Sequence, residues 1–113
     1  MLIMNMRKTF HLCLSGGDEV IFRDTEDYNR GFNTLAVALY KSDSVGLVES
    51  IMATHLHLLV QTSVPDRLVY YFRNSYSKYF NCKYLRRGTL GEKDFFHWRL
   101  LVIIIHWRRQ VMY

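Results

Sequence analysis

Two histidines separated by one residue are the sharpest chemical feature of the sequence. They are His55 and His57, in segment 53–62, where apolar and polar residues alternate. Alternation is typical of a β-strand, on which successive side chains point to opposite faces. Both imidazoles would share a face with Leu59 and Gln61, close enough for one metal ion. Imidazole suits transition metals better than magnesium. The alternative to a metal site is a pair of surface histidines on an edge strand.

Two further residues, His11 and Gln61, are weaker candidates for the site. His11 lies in the first predicted strand, and no pattern places it near His55, so a half-buried strand histidine is expected. Gln61 shares the face of the histidines and could orient a ligand, but a glutamine that faces solvent at the end of its strand is expected. The sequence contains no glycine-rich phosphate loop, nucleophile elbow or Cys-x-x-Cys pair. Nucleotide hydrolases, serine hydrolases and thioredoxin-like enzymes therefore have no support.

Periodicity predicts the elements that would position these side chains. Strands are expected over residues 8–14, 45–53 and 54–62, a short extended piece over 19–22, and helices over 25–42 and 65–84. Asp24 is the predicted N-cap of the first helix and Ser63 a candidate N-cap of the second, whose first turn contains Pro65. This order of strands and helices predicts an α+β fold with a mostly antiparallel sheet.

Apolar residues at three- and four-residue spacing mark the predicted inner faces of both helices. On the first helix they are Phe32, Leu35, Ala36, Leu39 and Tyr40, and on the second Leu68, Phe72, Tyr76, Tyr79 and Phe80.

Composition favours one globular domain in a reducing compartment. The chain has 113 residues, is 50% hydrophobic and contains only two cysteines, which fits the cytoplasm. Its start is too short an apolar stretch for a signal peptide. The apolar run over 100–105 is far shorter than the roughly 20 residues that a bilayer span needs. No membrane association is therefore expected.

Charge is distributed unevenly along the chain. Residues 1–66 contain five Lys/Arg and eight Asp/Glu, a net charge of −3, whereas residues 67–113 contain ten Lys/Arg and two Asp/Glu, a net charge of +8. The basic part is also rich in tyrosine, phenylalanine and tryptophan. Basic residues interleaved with aromatic ones suit single-stranded or looped nucleic acid. A solvated basic helix with aromatic core residues is the alternative.

Two segments resemble a known family. The His-Leu-His strand resembles the HUH signature of single-strand-specific DNA nucleases. Segment 75–84, SYSKYFNCKY, followed by Gly88 and Leu90, resembles the helix of REP-associated tyrosine transposases. These belong with the single-tyrosine HUH transposases of the insertion-sequence 200/605 type. The resemblance covers residues 7–96, and both motifs occur in the family's order with a similar gap.

The resemblance implies a fold and an activity. The fold would be a ferredoxin-like HUH sandwich, a mostly antiparallel sheet with two helices on one face. His55 and His57 would hold a divalent metal, Mg²⁺ or Mn²⁺, that polarises a phosphate of single-stranded DNA. A tyrosine hydroxyl would attack it and form a 5′-phosphotyrosine link, so that strands are cleaved and rejoined. Hairpin DNA and a homodimer are the implied partners.

Five basic residues are the candidate DNA contacts. They are Arg73, Lys78, Lys83, Arg86 and Arg87, on the second helix and in the loop after it. For each, an ordinary solvated surface charge is the alternative.

The C-terminal segment departs from the family. The chain divides into an HUH transposase-like domain, 1–96, and an aberrant tail, 97–113. In the family the nucleophilic tyrosine lies on a helix after the glycine-containing loop. Tyr76 and Tyr79 lie on the earlier helix, where packing or DNA stacking is expected instead. Tyr113 is the only tyrosine beyond the resemblance, and it is a weak candidate nucleophile because a terminal residue is poorly positioned.

Codon arithmetic suggests a cause for the tail. If the underlying DNA is read two bases later, each new codon joins the third base of one present codon to the first two bases of the next. In that frame the junction of His97 and Trp98 must encode leucine, and the junction of Met112 and Tyr113 must encode valine. The other junctions permit LEITGYYHTLAA, one small residue and then SYV, which resembles the family's continuation and contains tyrosine. We therefore expect a frameshift that leaves the nucleophile out of frame.

Three hypotheses follow from these patterns. The first is a single-strand DNA transposase domain, inactive if its nucleophile is missing. The second is a hairpin-DNA-binding module without catalysis. The third is a generic ferredoxin-like domain whose histidine pair is incidental, and it predicts neither metal nor DNA binding.

Overall fold

Four strands and two helices follow one another in the order β-α-β-β-α-β. The computed structural model describes residues 7–17 and 19–90 with their side chains, and residues 96–101 as backbone. The elements are β1 (Lys8–Ser15), α1 (Thr25–Lys41), β2 (Val45–Met52), β3 (His55–Thr62), α2 (Pro65–Tyr84) and β4 (Phe96–Leu101). The bounds of the five predicted strands and helices are confirmed to within one residue, whereas the extended piece expected over 19–22 is not a strand.

The strands form one antiparallel sheet in the order β2-β3-β1-β4. This order, with one helix after β1 and the other after β3, is the ferredoxin-like arrangement. The predicted α+β class with an antiparallel sheet is therefore confirmed. β1 and β3 lie side by side in the centre, and their register pairs Cys13 with His57 and Ser15 with His55.

Both central strands bury one face against the helices. Their burial alternates strictly along β1 and β3, as the period of two requires. The buried strand residues are Phe10, Leu12, Leu14, Leu56, Leu58 and Val60, which pack with Leu35, Leu68, Phe72, Tyr76 and Phe80 of the helices. The opposite faces of β1 and β3 point away from this core and carry the histidines.

The buried face of α1 differs from the predicted one. Leu35 is buried and Leu39 is half-buried as expected, but Phe32 and Tyr40 are 43% and 86% exposed. Ala36, which was also predicted to be buried, is exposed. Apart from Leu35, the buried residues are small or polar: Asp27, Gly31, Thr34 and Ala38.

Gly31 explains this rotation of α1. A Cβ atom at Gly31 would lie 2.6 Å from the Phe22 ring, so only glycine lets the helix approach that ring. The hydrophobic pattern therefore misidentified the inner face, because close packing on this face selects small side chains.

Helix ends follow the predicted chemistry in part. Asp24 caps α1, accepting a hydrogen bond from the Asp27 amide, as expected. The N-cap of α2 is Val64, without a side-chain hydrogen bond, so the suggestion of Ser63 was wrong; Pro65 does occupy the first turn. The C-cap of α2 is Leu85, which adopts a left-handed conformation with φ of 53°.

β2 and β4 form the two edges of the sheet. β2 exposes apolar side chains, including Leu47 and Val48, and its register shifts between Gly46 and Val48. β4 starts at Phe96, so the proposed domain boundary after that residue falls inside a strand. Residues 102–113 of the proposed tail lie outside the described residues.

Neither of the described helices is long and apolar enough to cross a membrane.

Candidate functional site

Three histidines gather on the side of the sheet that faces away from the helices. We call His11, His55 and His57 the histidine cluster. Each lies at a half-buried position of β1 or β3, between positions that point into the core. β-strand alternation therefore places all three on one face, as the sequence predicted for His55 and His57. Gln61 is half-buried on the same face.

The register of β1 against β3 brings the cluster together. His11 pairs with Leu59, so His57 is its diagonal neighbour, within reach of a long side chain. His11 Nε2 lies 3.1 Å from His57 Nδ1, with the two rings nearly parallel at 5°. The rings of His55 and His57 meet edge to face, with centroids 5.1 Å apart.

Neighbouring groups orient the cluster further. Thr54 Oγ1 lies 2.8 Å from His55 Nδ1, which leaves Nε2 as the nitrogen of that ring positioned for a ligand. Cys13 pairs with His57, and burial raises the pKa of its thiol, so the thiolate form is disfavoured. The ring nitrogens of these half-buried imidazoles are donors that suit a divalent transition metal.

His11 is the residue that the sequence analysis missed. The expectation of a half-buried strand histidine was correct, but the contact with His57 was not expected. The alternation in KTFHLCLS did reveal the face on which His11 lies. Its neighbour depends on the register between β1 and β3, to which no local pattern points.

A second group of ligand-type side chains lies in the helix layer. We call Asp24, Glu26 and Asp27 the acidic cluster. It is the one group of three or more such residues, within the described ranges, whose ligand atoms all lie within 4.8 Å of one another. Lys83 Nζ lies among them, 2.7 Å from Asp24, 2.6 Å from Glu26 and 3.0 Å from Asp27. An ammonium group therefore already occupies the position that a metal ion would take.

Asp27 is the buried centre of the acidic cluster. It is 0% exposed and accepts hydrogen bonds from the Tyr79 hydroxyl at 2.5 Å and the Tyr84 hydroxyl at 2.6 Å. The Arg23 backbone amide donates a further one at 2.9 Å. Burial alone would raise the pKa of Asp27, but these hydrogen bonds and that of Lys83 lower it to about 2. The carboxylate is ionised and fully paired, which is typical of a structural group.

The acidic cluster also bears on two of the proposed DNA contacts. Burial would lower the pKa of Lys83, but its carboxylate partners raise it above its usual range, so the ammonium stays charged and paired. Arg86 donates from Nε to Glu19 at 2.6 Å and from Nη1 to Asn81 at 2.9 Å. Both cations are committed within the protein, and binding DNA would require them to exchange partners.

The other predicted residues have different surroundings. Lys78 and Arg87 are exposed, and Arg73 is half-buried on α2. Tyr113 lies outside the described residues.

Lys78 borders a groove of about 310 Å³ between the helices. Lys41 from α1 and Tyr70, Tyr71 and Asn74 from α2 also line it. Lys41 Nζ lies 5.6 Å from the Tyr71 ring centroid, and Tyr70 is 63% exposed. Ammonium groups beside an exposed ring can bind phosphate and stack a base.

The tyrosines of the described ranges all lie on α1 or α2, whereas the histidine cluster lies on the opposite side of the sheet. Tyr76 is buried and donates to the Ile21 carbonyl, and burial raises the pKa of its hydroxyl above its usual range. Burial and the hydrogen bond to Asp27 raise the pKa of Tyr79 to about 12. Neither phenol is suited to attack, in agreement with the structural roles expected for both.

Comparison with known proteins relates this fold to solved structures. No family model and no curated protein matches the sequence. A structure described as a "putative transposase" from Deinococcus radiodurans R1 is similar, with a TM-score of 0.62 at 14% identity. The alignment covers 94% of this chain and 86% of that one. At this identity the likeness establishes a shared fold.

Proposed function

We propose that this chain is a single-strand DNA transposase domain that retains the recognition and metal-binding parts and lacks a positioned nucleophile. The proposal rests on the histidine cluster, which lies on the side of the sheet away from the helices, and on a fold that is shared with a protein described as a transposase. Neither observation alone names the reaction. Together they favour phosphoryl transfer on DNA over an incidental pair of surface histidines.

His55 and His57 would hold the divalent metal. Half-buried imidazoles fit such an ion, and the Thr54 contact fixes the orientation of one of them. A bound divalent ion would withdraw charge from a phosphate oxygen, which favours attack at phosphorus. A tyrosine hydroxyl would then form a 5′-phosphotyrosine bond and release a 3′-hydroxyl, and reversal of this step would rejoin the strands.

The nucleophile is the missing part of this proposal. The helix tyrosines lie on the other side of the sheet, and Tyr113 is the remaining tyrosine of the sequence. Among the described residues, no tyrosine hydroxyl lies on the face of the histidine cluster, as attack in line with a phosphate there would require. We therefore propose that this chain binds its DNA without cleaving it, as the frameshift interpretation of the tail expects.

DNA contact would fall mainly to Lys78, Arg73 and Arg87. Lys83 and Arg86 are paired with carboxylates, so they contribute less to an interface with phosphates. The groove beside Lys78 supplies an exposed tyrosine ring as well as positive charge. This combination suits an unpaired stretch of a hairpin, whose bases are open to stacking. The groove lies on the helix side of the sheet, opposite the histidine cluster, so it would bind a part of the hairpin that is distant from the phosphate at the metal.

A homodimer is the proposed assembly. The exposed apolar side chains of β2 lie at an edge of the sheet, and a second copy would shield them from water. Sedimentation equilibrium would show a dimer if this is right. A monomer at all concentrations would contradict it.

A covalent-adduct assay tests the proposed function. The full chain is incubated with hairpin DNA labelled at its 3′ end and Mn²⁺ or Mg²⁺, because a 5′-phosphotyrosine bond retains the 3′ part of the strand. We expect salt-dependent hairpin binding and no band that survives denaturation. A version with the reading frame restored after codon 96 should form the adduct, and its His57→Ala variant should not.

The outcomes separate the three hypotheses. An adduct with the present chain that is lost in Tyr113→Phe would mean that the nucleophile is present after all. Hairpin binding with no adduct from either version would support the binding module without catalysis. If neither version binds hairpins or forms adducts, the transposase proposal is wrong.

A further inference from the structure

We propose that His11 is a metal ligand, so that the site of this chain is a three-histidine centre rather than a two-histidine pair. This inference deepens the proposed function, because it concerns the same face of the sheet. It assigns a role to a residue from β1, the strand next to the one that carries the His-x-His motif. The observation behind it is the approach of His11 Nε2 to His57 Nδ1.

The distance between these two nitrogens matches that of two ligands on one ion. Histidine nitrogens lie about 2.0–2.1 Å from Zn²⁺, so two of them on one ion are about 2.9 Å apart at a right angle and about 3.4 Å at a tetrahedral angle. The observed separation is 3.1 Å, between these limits. The separation of the two nitrogens therefore suits an ion bound by both, but each ring must turn, because in the hydrogen bond the nitrogens point at one another rather than at a shared ion.

The same contact is also a hydrogen bond in the metal-free protein. One of the two facing nitrogens carries a hydrogen atom and the other accepts it. When a cation replaces that hydrogen, the hydrogen moves to the far nitrogen of its own ring. Both imidazoles stay neutral, and both facing nitrogens donate to the metal.

His55 would complete the site from the other side of His57. Its ring meets His57 edge to face, and the Thr54 contact directs Nε2 outward as the donor. The ligand atoms of the three histidines do not all lie within 4.8 Å of one another, so His55 must turn about its side-chain torsions. A single rotamer change is a small cost beside a new metal bond.

A third imidazole changes the metal that the site prefers. Mg²⁺ favours oxygen ligands and retains several waters, whereas affinity for nitrogen sites rises from Mn²⁺ through Co²⁺ to Ni²⁺. The acidic cluster offers no competing site, because Lys83 lies among its carboxylates. We therefore expect this chain to bind Co²⁺ and Ni²⁺ far more tightly than Mg²⁺.

Calorimetric titration of the full chain with Co²⁺, Ni²⁺ and Mg²⁺ tests the assignment without relying on activity. His11→Ala should weaken Co²⁺ and Ni²⁺ binding by at least about 100-fold, the upper end of the effect of losing an outer-shell partner. Mg²⁺ binding should change less than about threefold, because it depends little on nitrogen donors. Pulsed electron paramagnetic resonance of the Cu²⁺ complex should resolve three coordinated imidazoles.

Two variants separate ligation from orientation. His11→Gln retains a group that can hydrogen-bond to His57 but is a poor ligand for Ni²⁺. If His11 only orients His57, this variant should restore tight binding; if His11 is a ligand, it should resemble His11→Ala. Thr9→Ala is the matched control, since Thr9 lies on the same strand and face one pleat away. Circular dichroism should confirm that each variant is folded.

The result distinguishes this inference from the proposed function. If His55→Ala and His57→Ala abolish Ni²⁺ binding while His11→Ala retains it within threefold, the third ligand is wrong and the two-histidine site stands. If His11→Ala and His57→Ala abolish binding and His55→Ala does not, His11 is a ligand and the role proposed for His55 is wrong. If the unmodified chain binds none of these ions at millimolar concentration, both metal assignments are wrong.

Discussion

The acidic cluster and the histidine cluster occupy opposite sides of the same sheet, and they use their polar atoms differently. In the acidic cluster, Lys83 and two phenols already satisfy the buried carboxylate of Asp27. In the histidine cluster, imidazole nitrogens face one another with room for a single proton or cation between His11 and His57. The first holds two helices together, and the second pairs imidazoles with one another on the face of the sheet opposite the helices.

This difference shows why proximity of ligand atoms is not sufficient for a metal site. The acidic cluster meets a distance criterion for cation binding, but its cation is a lysine of the same chain. The histidine cluster fails that criterion with three residues, yet two of its nitrogens have the spacing of a ligand pair. The lysine cation already present among the carboxylates therefore distinguishes the two clusters better than the distances between their ligand atoms do.

The largest expected effect is on the acidic cluster. Asp27→Asn should lower the free energy of unfolding by about 3 kcal/mol, because it removes the buried partner of Lys83 and the acceptor charge for Tyr79 and Tyr84. Urea unfolding at pH 7 measures this. The control Glu26→Gln changes an exposed partner of the same lysine and should cost less than about 0.5 kcal/mol. Equal effects of the two variants would contradict a buried structural centre.

Lowering the pH should reduce the contribution of Asp27 to the free energy of unfolding by about 2 kcal/mol. The pKa of Asp27 is lowered from 3.8 to about 2 in the folded protein, so its contribution is complete above about pH 4 and is lost as pH falls through about 2. The difference in free energy of unfolding between the unmodified chain and Asp27→Asn should therefore decrease by about 2 kcal/mol as the pH falls from 5 to 2. A gap that stays constant would mean that Asp27 is not the group that titrates.

The smallest effect should come from the histidine cluster. His57→Ala should change the free energy of unfolding by only about 0.5 kcal/mol, because the side chain is half-buried and outside the core. Leu58→Ala, one residue away and pointing into the core, should cost about 3 kcal/mol in the same urea titration. If His57→Ala is as harmful as Leu58→Ala, the histidine cluster stabilises the fold and the comparison drawn above is wrong.

Local patterns in the sequence were sufficient for the elements and for one face of the site. The alternation around His55 and His57 predicted a strand with both imidazoles on one side, which the structure confirms. Asp24 as the cap of α1 and Pro65 in the first turn of α2 follow from equally local rules. Each of these features depends on the residues within one turn or one pleat.

Features that depend on distant contacts were not predictable. His11 meets His57 only because β1 pairs with β3 in one register, and a shift of one residue would place them on opposite faces. Lys83 lies 59 residues from Asp24, so a basic helix end appeared to be available for DNA. The inner face of α1 was misidentified because the Phe22 ring selects a glycine at position 31 rather than a large apolar residue.

The end of α2 shows what natural selection has tolerated in this chain. Leu85 adopts φ of 53° and ψ of 49° and is 93% exposed, and glycine is the usual residue where a helix ends in this left-handed conformation. A leucine in this conformation costs roughly 1 kcal/mol, and its side chain buries almost no surface in return. Proteins retain such residues when their stability exceeds the threshold for function. Leu85 is therefore a position where glycine would relieve backbone strain without losing any packing.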